Sequence, residues 1–314
     1  MFLSICIPTY NRANDLEKNV KGICSIISEL GREDIDIYVV DNNSTDDTYI
    51  KMQAIISENA RVHYRKNEEN IGAPKNLIRA YLVSDSEYVM LLGDDDFFSK
   101  EYLEEVMSIL EVKQPEMVLG NYVGIDGAGN AITQPREPIG ETFSTDDYRN
   151  KVMWGLSLAH QLSGLVYRKR SIDEKTMESL LTTMYPQSYL AMQNAEKGVY
   201  YHILNNPIRV TQTNTKDWHY DASGFLFDLL SGFYYLPISK KEKKEFEKKA
   251  LSTAGTAWRL SLTYRHPVKV FREVIKENRL EPGFKAYFVL YYCWKWIKHV
   301  MKKVFGALKP KKGK

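Results

Sequence analysis

The first third of the chain alternates short apolar runs with segments whose apolar residues recur at helical spacing. Five short runs rich in β-branched and aromatic residues predict strands: "FLSICIP", "IDIYVVD", "VHYR", "EYVMLLG" and "EMVLGNY". Helical periodicity between the first two runs is set by Leu16, Val20, Ile23, Cys24, Ile27 and Leu30, and Gly31 ends that helix. Strands regularly separated by helices predict an α/β fold with a mostly parallel, doubly wound sheet.

Polar clusters follow three of these strands: "TYNR" at residues 9–12, "DNNS" at residues 41–44 and "DDD" at residues 94–96. In an open parallel sheet, ligands bind beyond the carboxyl ends of the strands, so we expect the clusters to converge. Turn and capping chemistry is an alternative for the first two. The acidic triplet needs a cation or hydrogen-bond donors to offset its repulsion, and its hard oxygen atoms suit Mg²⁺ or Mn²⁺.

Composition narrows the class of protein. The chain has 314 residues, of which 44% are hydrophobic and 26% charged, as in a globular protein. A formal net charge of +3 does not indicate nucleic-acid binding. The cysteines Cys6, Cys24 and Cys293 lack metal-ligand spacing and a disulfide pattern, which favours a reducing, cytoplasmic compartment. We find neither a signal-peptide pattern nor an apolar run of about 18 residues.

The order "PTYNR", "VVDNNSTDDT", "NEENIGAPKN" and "LLGDDD" resembles the nucleotide-sugar-binding half of glycosyltransferase family 2, which has a GT-A fold. The resemblance covers roughly residues 1–125. It implies a catalytic domain over residues 1–225, in which residues 126–225 form the acceptor side, followed by a helical C-terminal region over residues 226–314. The implied activity is metal-dependent transfer of a sugar from a nucleotide-sugar donor.

The resemblance also implies a donor site, in which Asp41 bonds the uracil or ribose of a UDP-sugar and Tyr10 lies near the base. The implied nucleotide-sugar residues are Pro8, Thr9, Tyr10, Asn11, Arg12, Asp41, Asn43, Asn70, Gly72 and Lys75. Asp94, Asp95 and Asp96 would form the DxD element that holds Mn²⁺ or Mg²⁺ on the donor diphosphate, and the metal would offset charge on the leaving group. Gly93 stands where the usual acid-x-acid-acid pattern has its first acid, so the two ligating carboxylates remain open.

The second half departs further from the family pattern. After the predicted strand "SGLVYRKRSI", the family has an acidic pair at a helix start, and this chain has Pro186 and Gln187 there. Either the base comes from elsewhere, or the reaction is retaining and needs none. The candidate bases are Asp146, Asp147, His160, Asp217 and His219. We favour the segment "TNTKDWHYD", which contains Asp217 and His219, and expect His219 to complete the metal shell or touch the diphosphate.

The last thirty residues are basic and aromatic. From Phe284 onward the sequence has nine lysines and no acid, with Trp294 and Trp296 among several aromatic residues. Such a helix predicts binding to an anionic membrane surface, although a packed helix with a lysine-rich tail is the alternative. We therefore expect a peripheral protein on the inner face of the cell membrane that glycosylates a lipid-linked or cell-surface polysaccharide acceptor. A second hypothesis is a catalytically silent subunit that binds sugar nucleotides or glycans.

Overall fold

The computed structural model describes residues 1–212 and 222–307, and eight strands of the described chain form one sheet. The strands are β1 (Leu3–Thr9), β2 (Ile35–Asp41), β3 (Val62–Lys66), β4 (Tyr88–Leu91), β5 (Met117–Ile125), β6 (Phe143–Thr145), β7 (Leu165–Arg168) and β8 (Tyr200–Thr211). Their order across the sheet is β3-β2-β1-β4-β7-β5-β8-β6.

Helices follow the strands in sequence, and further helices follow the last strand. Those that follow the first seven strands in sequence are α1 (Ala13–Glu29), α2 (Thr48–Glu58), α3 (Ala73–Leu82), α4 (Lys100–Lys113), α5 (Tyr148–Ser157), α6 (Glu174–Leu181) and α7 (Pro186–Gln193). The rest are α8 (Ala222–Ser231), α9 (Lys240–Ala250), α10 (Ala254–Leu262), α11 (Pro267–Lys276) and α12 (Pro282–Ala307). The chain divides into two compact units, Met1–Asp217 and Trp218–Lys314.

The sheet confirms the predicted mostly parallel α/β fold. Strands β1, β2, β3 and β4 pair in parallel, as do β5 and β8. Strand β7 lies antiparallel between β4 and β5, and β6 lies antiparallel to β8 at one edge. The sequence did not predict β6, because its three residues are flanked by polar loops and carry no apolar run.

Burial of both faces of the central strands explains their continuous apolar sequence. In β1 the side chains of Leu3, Ile5 and Ile7 are fully buried, and the apolar stripe of α1 packs into the same core through Leu16 and Val20. Helices on both sides of a parallel sheet remove both faces from water, and this burial supplies the main stabilisation.

The second unit is helical and has its own aromatic core. In α12, Phe284, Phe288 and Tyr292 are fully buried, and the ring of Phe288 packs edge-on against Phe227 of α8. Within the part of the chain that the structure describes, no helix is both long enough and apolar enough to cross a membrane.

Candidate active site

The register of the parallel strands brings the predicted polar clusters to one edge of the sheet. Thr9 lies opposite Asp41, which lies opposite Lys66 at the end of β3. Strand β4 pairs with β1 as far as Cys6 and Leu91, so the acidic triplet emerges beside the end of β1. The hydroxyl of Thr9 donates to Oδ2 of Asp94 at 2.7 Å. The β1 and β4 clusters are therefore in direct contact.

Asp94 and Asp95 share a cation, the guanidinium of Arg12. Its Nη1 lies 2.5 Å from Oδ2 of Asp95 and 3.6 Å from Oδ1 of Asp94. Burial raises the pKa of Asp94 to about 7, against the opposing effect of Arg12. Burial and neighbouring carboxylates disfavour the charged form of a carboxyl group. A positive charge at the position of Arg12 therefore stabilises the charged pair.

Asp96 differs from its two neighbours, because protein donors bind both of its carboxylate oxygens. Oδ1 accepts from the backbone N–H of Thr211 at 2.9 Å, and Oδ2 accepts from the hydroxyl of Ser163. A Cβ at Gly93 would lie 2.8 Å from Oδ2 of Asp96, so an acid at that position would displace Asp96. Gly93 thus accounts for the departure from the family pattern. The amide of Asn19 in α1 also holds the loop, by donating to the carbonyls of Gly93 and Asp96.

Asp41 is fully buried at the end of β2, where it orders the loop that follows. Its Oδ1 accepts from the N–H of Ser44 at 2.9 Å and from the Ser44 hydroxyl at 2.5 Å. Its Oδ2 accepts from the hydroxyl of Tyr64 in β3. Burial, followed by this bond to Asp41, raises the pKa of Tyr64. Direct contact between Asp41 and a nucleotide stays a prediction.

Two asparagines reach left-handed backbone geometry in the loops of this edge. Asn11 has φ 52° and Asn43 has φ 66°, a region that asparagine tolerates better than most residues. The side chain of Asn11 accepts from the N–H of Thr45 at 2.8 Å, and its own N–H donates to the hydroxyl of Ser44 at 2.8 Å. These bonds tie the β1–α1 loop to the β2–α2 loop.

The segment before α3 is bound to the β2 loop through amide side chains. Asn42 donates to Oδ1 of Asn70 at 2.7 Å, and the same oxygen accepts from the N–H of Gly72 at 2.9 Å. Gly72 has φ 83°, so glycine is required by backbone conformation at the start of α3. Lys75 is exposed in the first turn of that helix. The structure therefore places Asn70, Gly72 and Lys75 beside the β2 loop.

The remaining predicted residues are more scattered. Pro8 is half-buried in β1 and Tyr10 is exposed after it, while Asp217 and His219 lie outside the described residues. Asp147 caps α5 by accepting from the N–H of Asn150 at 2.8 Å, which is a structural use of its carboxylate.

The position of the expected acidic pair is occupied by a buried amide. Pro186 begins α7, and the Gln187 side chain donates to the carbonyl of His160 at 3.1 Å. Its Oε1 is buried, and no hydrogen-bond partner for it occurs among the described residues. The ring of His160 contacts the carbonyl of Ser157 at 2.9 Å and the guanidinium of Arg136 at 3.3 Å.

Several residues that build this edge were missed in the sequence: Asn19, Tyr64, Ser163 and Thr211. Asn19 is the one with a local signal, since it is a polar residue on the buried face of an amphipathic helix. The other three reach the site only through pairing of distant strands.

The two carboxylates beside Arg12 fit a divalent cation by their chemistry. Among the described residues, no three His, Cys, Asp or Glu side chains are arranged to hold a metal ion by themselves. Mg²⁺ is usually bound by one or two carboxylates together with substrate phosphates, which Asp94 and Asp95 would satisfy. Arg12 shows that a positive charge is accommodated between them.

Comparison with known proteins supports the family that the sequence motifs resemble, over most of the chain's first unit. The model of the family described as Glycosyl transferase family 2 matches residues 4–176. Abequosyltransferase RfbV of Salmonella typhimurium is 26% identical over 224 residues, covering 66% of this chain and 66% of that protein. GalNAc(5)-diNAcBac-PP-undecaprenol beta-1,3-glucosyltransferase of Campylobacter jejuni is 33% identical over 132 residues, covering 41% of this chain and 40% of that protein. These matches thus span less than two thirds of their relatives' length.

Solved structures share the fold at low sequence identity. Residues 1–349 of Staphylococcus aureus TarS in complex with UDP-GlcNAc superpose with a TM-score of 0.65 at 15% identity, covering 95% of this chain and 89% of that one. The mannosyltransferase PcManGT of Pyrobaculum calidifontis in complex with GDP-Man and Mn²⁺ has a TM-score of 0.52 at 15% identity, covering 97% and 87%. The family model covers more than half of the chain, and the expected GT-A architecture is present. The chain belongs to glycosyl transferase family 2.

Proposed function

We propose that this protein transfers a sugar from a UDP-sugar to a lipid-linked or cell-surface polysaccharide acceptor, with a divalent cation, at the cytoplasmic face of the membrane. The observation that carries the proposal is the contact between Asp94 and Asp95 and the end of β1, through Thr9 and Arg12. A carboxylate pair at the carboxyl edge of a parallel sheet lies where ligands of such sheets bind.

The donor is proposed to be a uridine nucleotide. A TarS fragment of the same fold was solved with UDP-GlcNAc, which supports a uridine donor, whereas PcManGT was solved with GDP-Man. The proposed pocket is bordered by the loops after β1 and β2, where Tyr10 is exposed for stacking on a base. Asn70 and Gly72 close one side, and Lys75 is exposed in the first turn of α3 with its positive charge available to a diphosphate.

Cleavage of the bond between the sugar and the diphosphate leaves a nucleoside diphosphate with growing negative charge. A divalent cation bound to Asp94 and Asp95 would offset that charge without a proton transfer. Thr9 fixes the orientation of Asp94 by its hydrogen bond, while Asp96 fixes the loop through Ser163 and Thr211. These contacts hold the two carboxylates in place before the donor arrives, and such preorganisation lowers the cost of binding.

The acceptor is proposed from two relatives named for lipid-linked or polymeric acceptors. One is GalNAc(5)-diNAcBac-PP-undecaprenol beta-1,3-glucosyltransferase of Campylobacter jejuni, and the other is poly(ribitol-phosphate) beta-glucosyltransferase of Bacillus spizizenii. The amide of Gln187 cannot take a proton from an acceptor hydroxyl at neutral pH. A base would therefore come from another residue, with Asp217 and His219 as our candidates, unless the reaction is retaining and needs none.

Helix α12 supports the membrane part of the proposal, because it has two apolar faces. One face carries the buried rings of Phe284, Phe288 and Tyr292. The opposite face exposes a stripe at intervals of three and four residues, which is one side of an α-helix. This outer stripe consists of Tyr287, Leu290, Trp294, Ile297 and Met301, all of which are exposed.

Charge favours an anionic lipid surface as the partner of this outer stripe. Lys298 places its ammonium 3.8 Å from the Trp294 ring centroid, and Lys302 is exposed one turn further on. The segment from residue 284 onward has no acid, so a second copy of the helix would bring lysines against lysines. Interfacial helices combine apolar residues, tryptophan and lysine in this way.

Trp296 differs from Trp294 in its position on α12. Its Nε1 donates to the carbonyl of Tyr264 at 3.1 Å, so the ring packs on the protein rather than in the outer stripe. Trp294 alone of the two is available for a membrane.

The proposal is tested by donor turnover with a panel of UDP-sugars, in the presence of Mn²⁺ and of EDTA, with and without membranes that contain lipid-linked glycans. We expect release of UDP that requires the metal, and transfer of label to the lipid fraction. Binding of UDP without turnover of any donor would instead favour the silent binding subunit, and full turnover in EDTA would refute the metal.

A further inference from the structure

Arg12 occupies the position that a cation bound to both Asp94 and Asp95 would take. One nitrogen, Nη1, is 2.5 Å from Asp95 and 3.6 Å from Asp94. A divalent ion on the same two oxygens would stand within a few ångströms of the guanidinium, and two positive charges in a buried site repel strongly. The guanidinium and a metal ion therefore cannot share these oxygens in this arrangement.

The surroundings of Arg12 allow its side chain to leave. Its side chain is 28% exposed, whereas those of Asp94 and Asp95 are 11% and 9% exposed. Arg12 is the N-cap of α1: its carbonyl accepts from the N–H of Leu16 at 3.0 Å, while its side chain makes no capping bond to the helix. It also lines an open cavity of about 280 Å³.

That cavity is acidic as well as open. Asp15, Asp46 and Asp47 line it together with Arg12. All three aspartates are exposed, and Asp46 also accepts hydrogen bonds from the N–H groups of Ala13 and Thr48. A guanidinium that turned away from Asp95 would thus remain near negative charge, which reduces the electrostatic cost of the movement.

We propose that Arg12 is a displaceable counter-ion, which holds Asp94 and Asp95 in the donor-free enzyme and turns into the neighbouring acidic cavity when a divalent cation takes its place. This inference rests on the proposed metal-dependent function. Arg12 is then a positioning residue, which keeps the carboxylate pair oriented and limits the occupation of the site by metal alone.

The test measures binding of Mn²⁺ to the full-length protein at pH 8 without any donor, by electron paramagnetic resonance of the free ion. Arg12→Gln removes the competing charge and should tighten Mn²⁺ binding about tenfold. Arg12→Lys keeps a cation in the loop and should stay near the wild-type affinity. Arg32→Gln is the matched control, because Arg32 pairs with Asp34 and Glu111 away from this edge.

A double-mutant cycle separates displacement from a general change in charge. Asp15→Asn removes one carboxylate from the cavity, so in wild-type protein it should weaken Mn²⁺ binding two- to threefold. In the Arg12→Gln background no guanidinium needs the cavity, and the same change should have a smaller effect. Circular dichroism melting of each variant checks that it is folded.

Unchanged or weaker Mn²⁺ binding by folded Arg12→Gln overturns the inference and leaves the proposed transferase intact. Equal effects of Asp15→Asn in both backgrounds overturn the role of the cavity. Absence of Mn²⁺ binding by every variant, with or without UDP, refutes both the counter-ion and the metal-dependent function.

Discussion

The outer stripe of α12 makes a quantitative prediction about membrane binding. Trp294 is 48% exposed, and an aromatic side chain of this kind can bury 150–250 Å², so roughly 100 Å² is available to a lipid surface. At about 25 cal/mol per Å², moving that area out of water contributes up to about 2.5 kcal/mol. Trp294→Ala should therefore weaken binding to anionic vesicles by up to about 70-fold.

The assay is co-sedimentation of full-length protein with vesicles that contain or lack anionic lipid. Lys295, Lys298 and Lys302 should each add about 1 kcal/mol on the anionic vesicles, so binding should fall steeply with salt. On neutral vesicles, only the apolar stripe should contribute to binding. Donor turnover by Trp294→Ala should stay close to wild type, since the change leaves the sheet edge untouched.

Trp296→Phe is the matched control. It removes the N–H that donates to Tyr264 at 3.1 Å, at a cost of about 1 kcal/mol in the free energy of unfolding, and leaves the outer stripe intact. We expect vesicle binding to be unchanged by it. Equal loss of binding in the two variants, or none in Trp294→Ala, would show that the stripe is not the docking face.

Three further predictions concern buried carboxylates. In calorimetry, Asp41→Asn should weaken UDP binding by roughly 1.5–3 kcal/mol, whereas Tyr64→Phe should leave UDP binding unchanged. An equal loss of UDP binding in both variants would show that Asp41 acts by ordering the loop. Asp95→Asn should abolish Mn²⁺-dependent turnover in a folded protein, whereas Asp96→Asn should also lower the melting temperature because it disturbs the bonds to Ser163, just before β7, and to Thr211 of β8. Burial raises the pKa of Glu247 to about 7, so its stabilising contribution is full below pH 4.5 and is lost as the pH rises through 7. Glu247→Gln should therefore raise stability above pH 7 by up to about 3 kcal/mol in urea unfolding, and an unchanged pH profile would contradict this.

The fold of the first unit was readable from sequence because its signals are local. Buried strands such as "IDIYVVD" and amphipathic helices such as α1 are each set by residues within one segment, and α/β alternation then limits the topology. The same argument predicts that Thr9, Asp41 and Asp94 lie at one edge of the sheet. Hydrogen bonding confirms the contact between Thr9 and Asp94.

Contacts between distant segments could not be predicted from the sequence. Asp96 is 67 residues from Ser163 and 115 residues from Thr211, and no periodicity relates these positions. The orientation of α12 was equally hidden, since aromatic residues occur on both of its faces. Only the packing of Phe288 and Tyr292 into the second unit decides that Trp294 points outward and Trp296 does not.

The contacts among Gly93, Asp96 and Ser163 determine the role of Asp96 within the acidic triplet. A side chain at position 93 would collide with the Asp96 carboxylate, so glycine there is the condition for Asp96 to reach Ser163. Once Asp96 is bound in this way, it anchors the loop to the segment just before β7, and Asp94 and Asp95 are the pair that faces Arg12. The acidic triplet is therefore divided into two adjacent carboxylates that face Arg12 and a third, Asp96, that has a structural role.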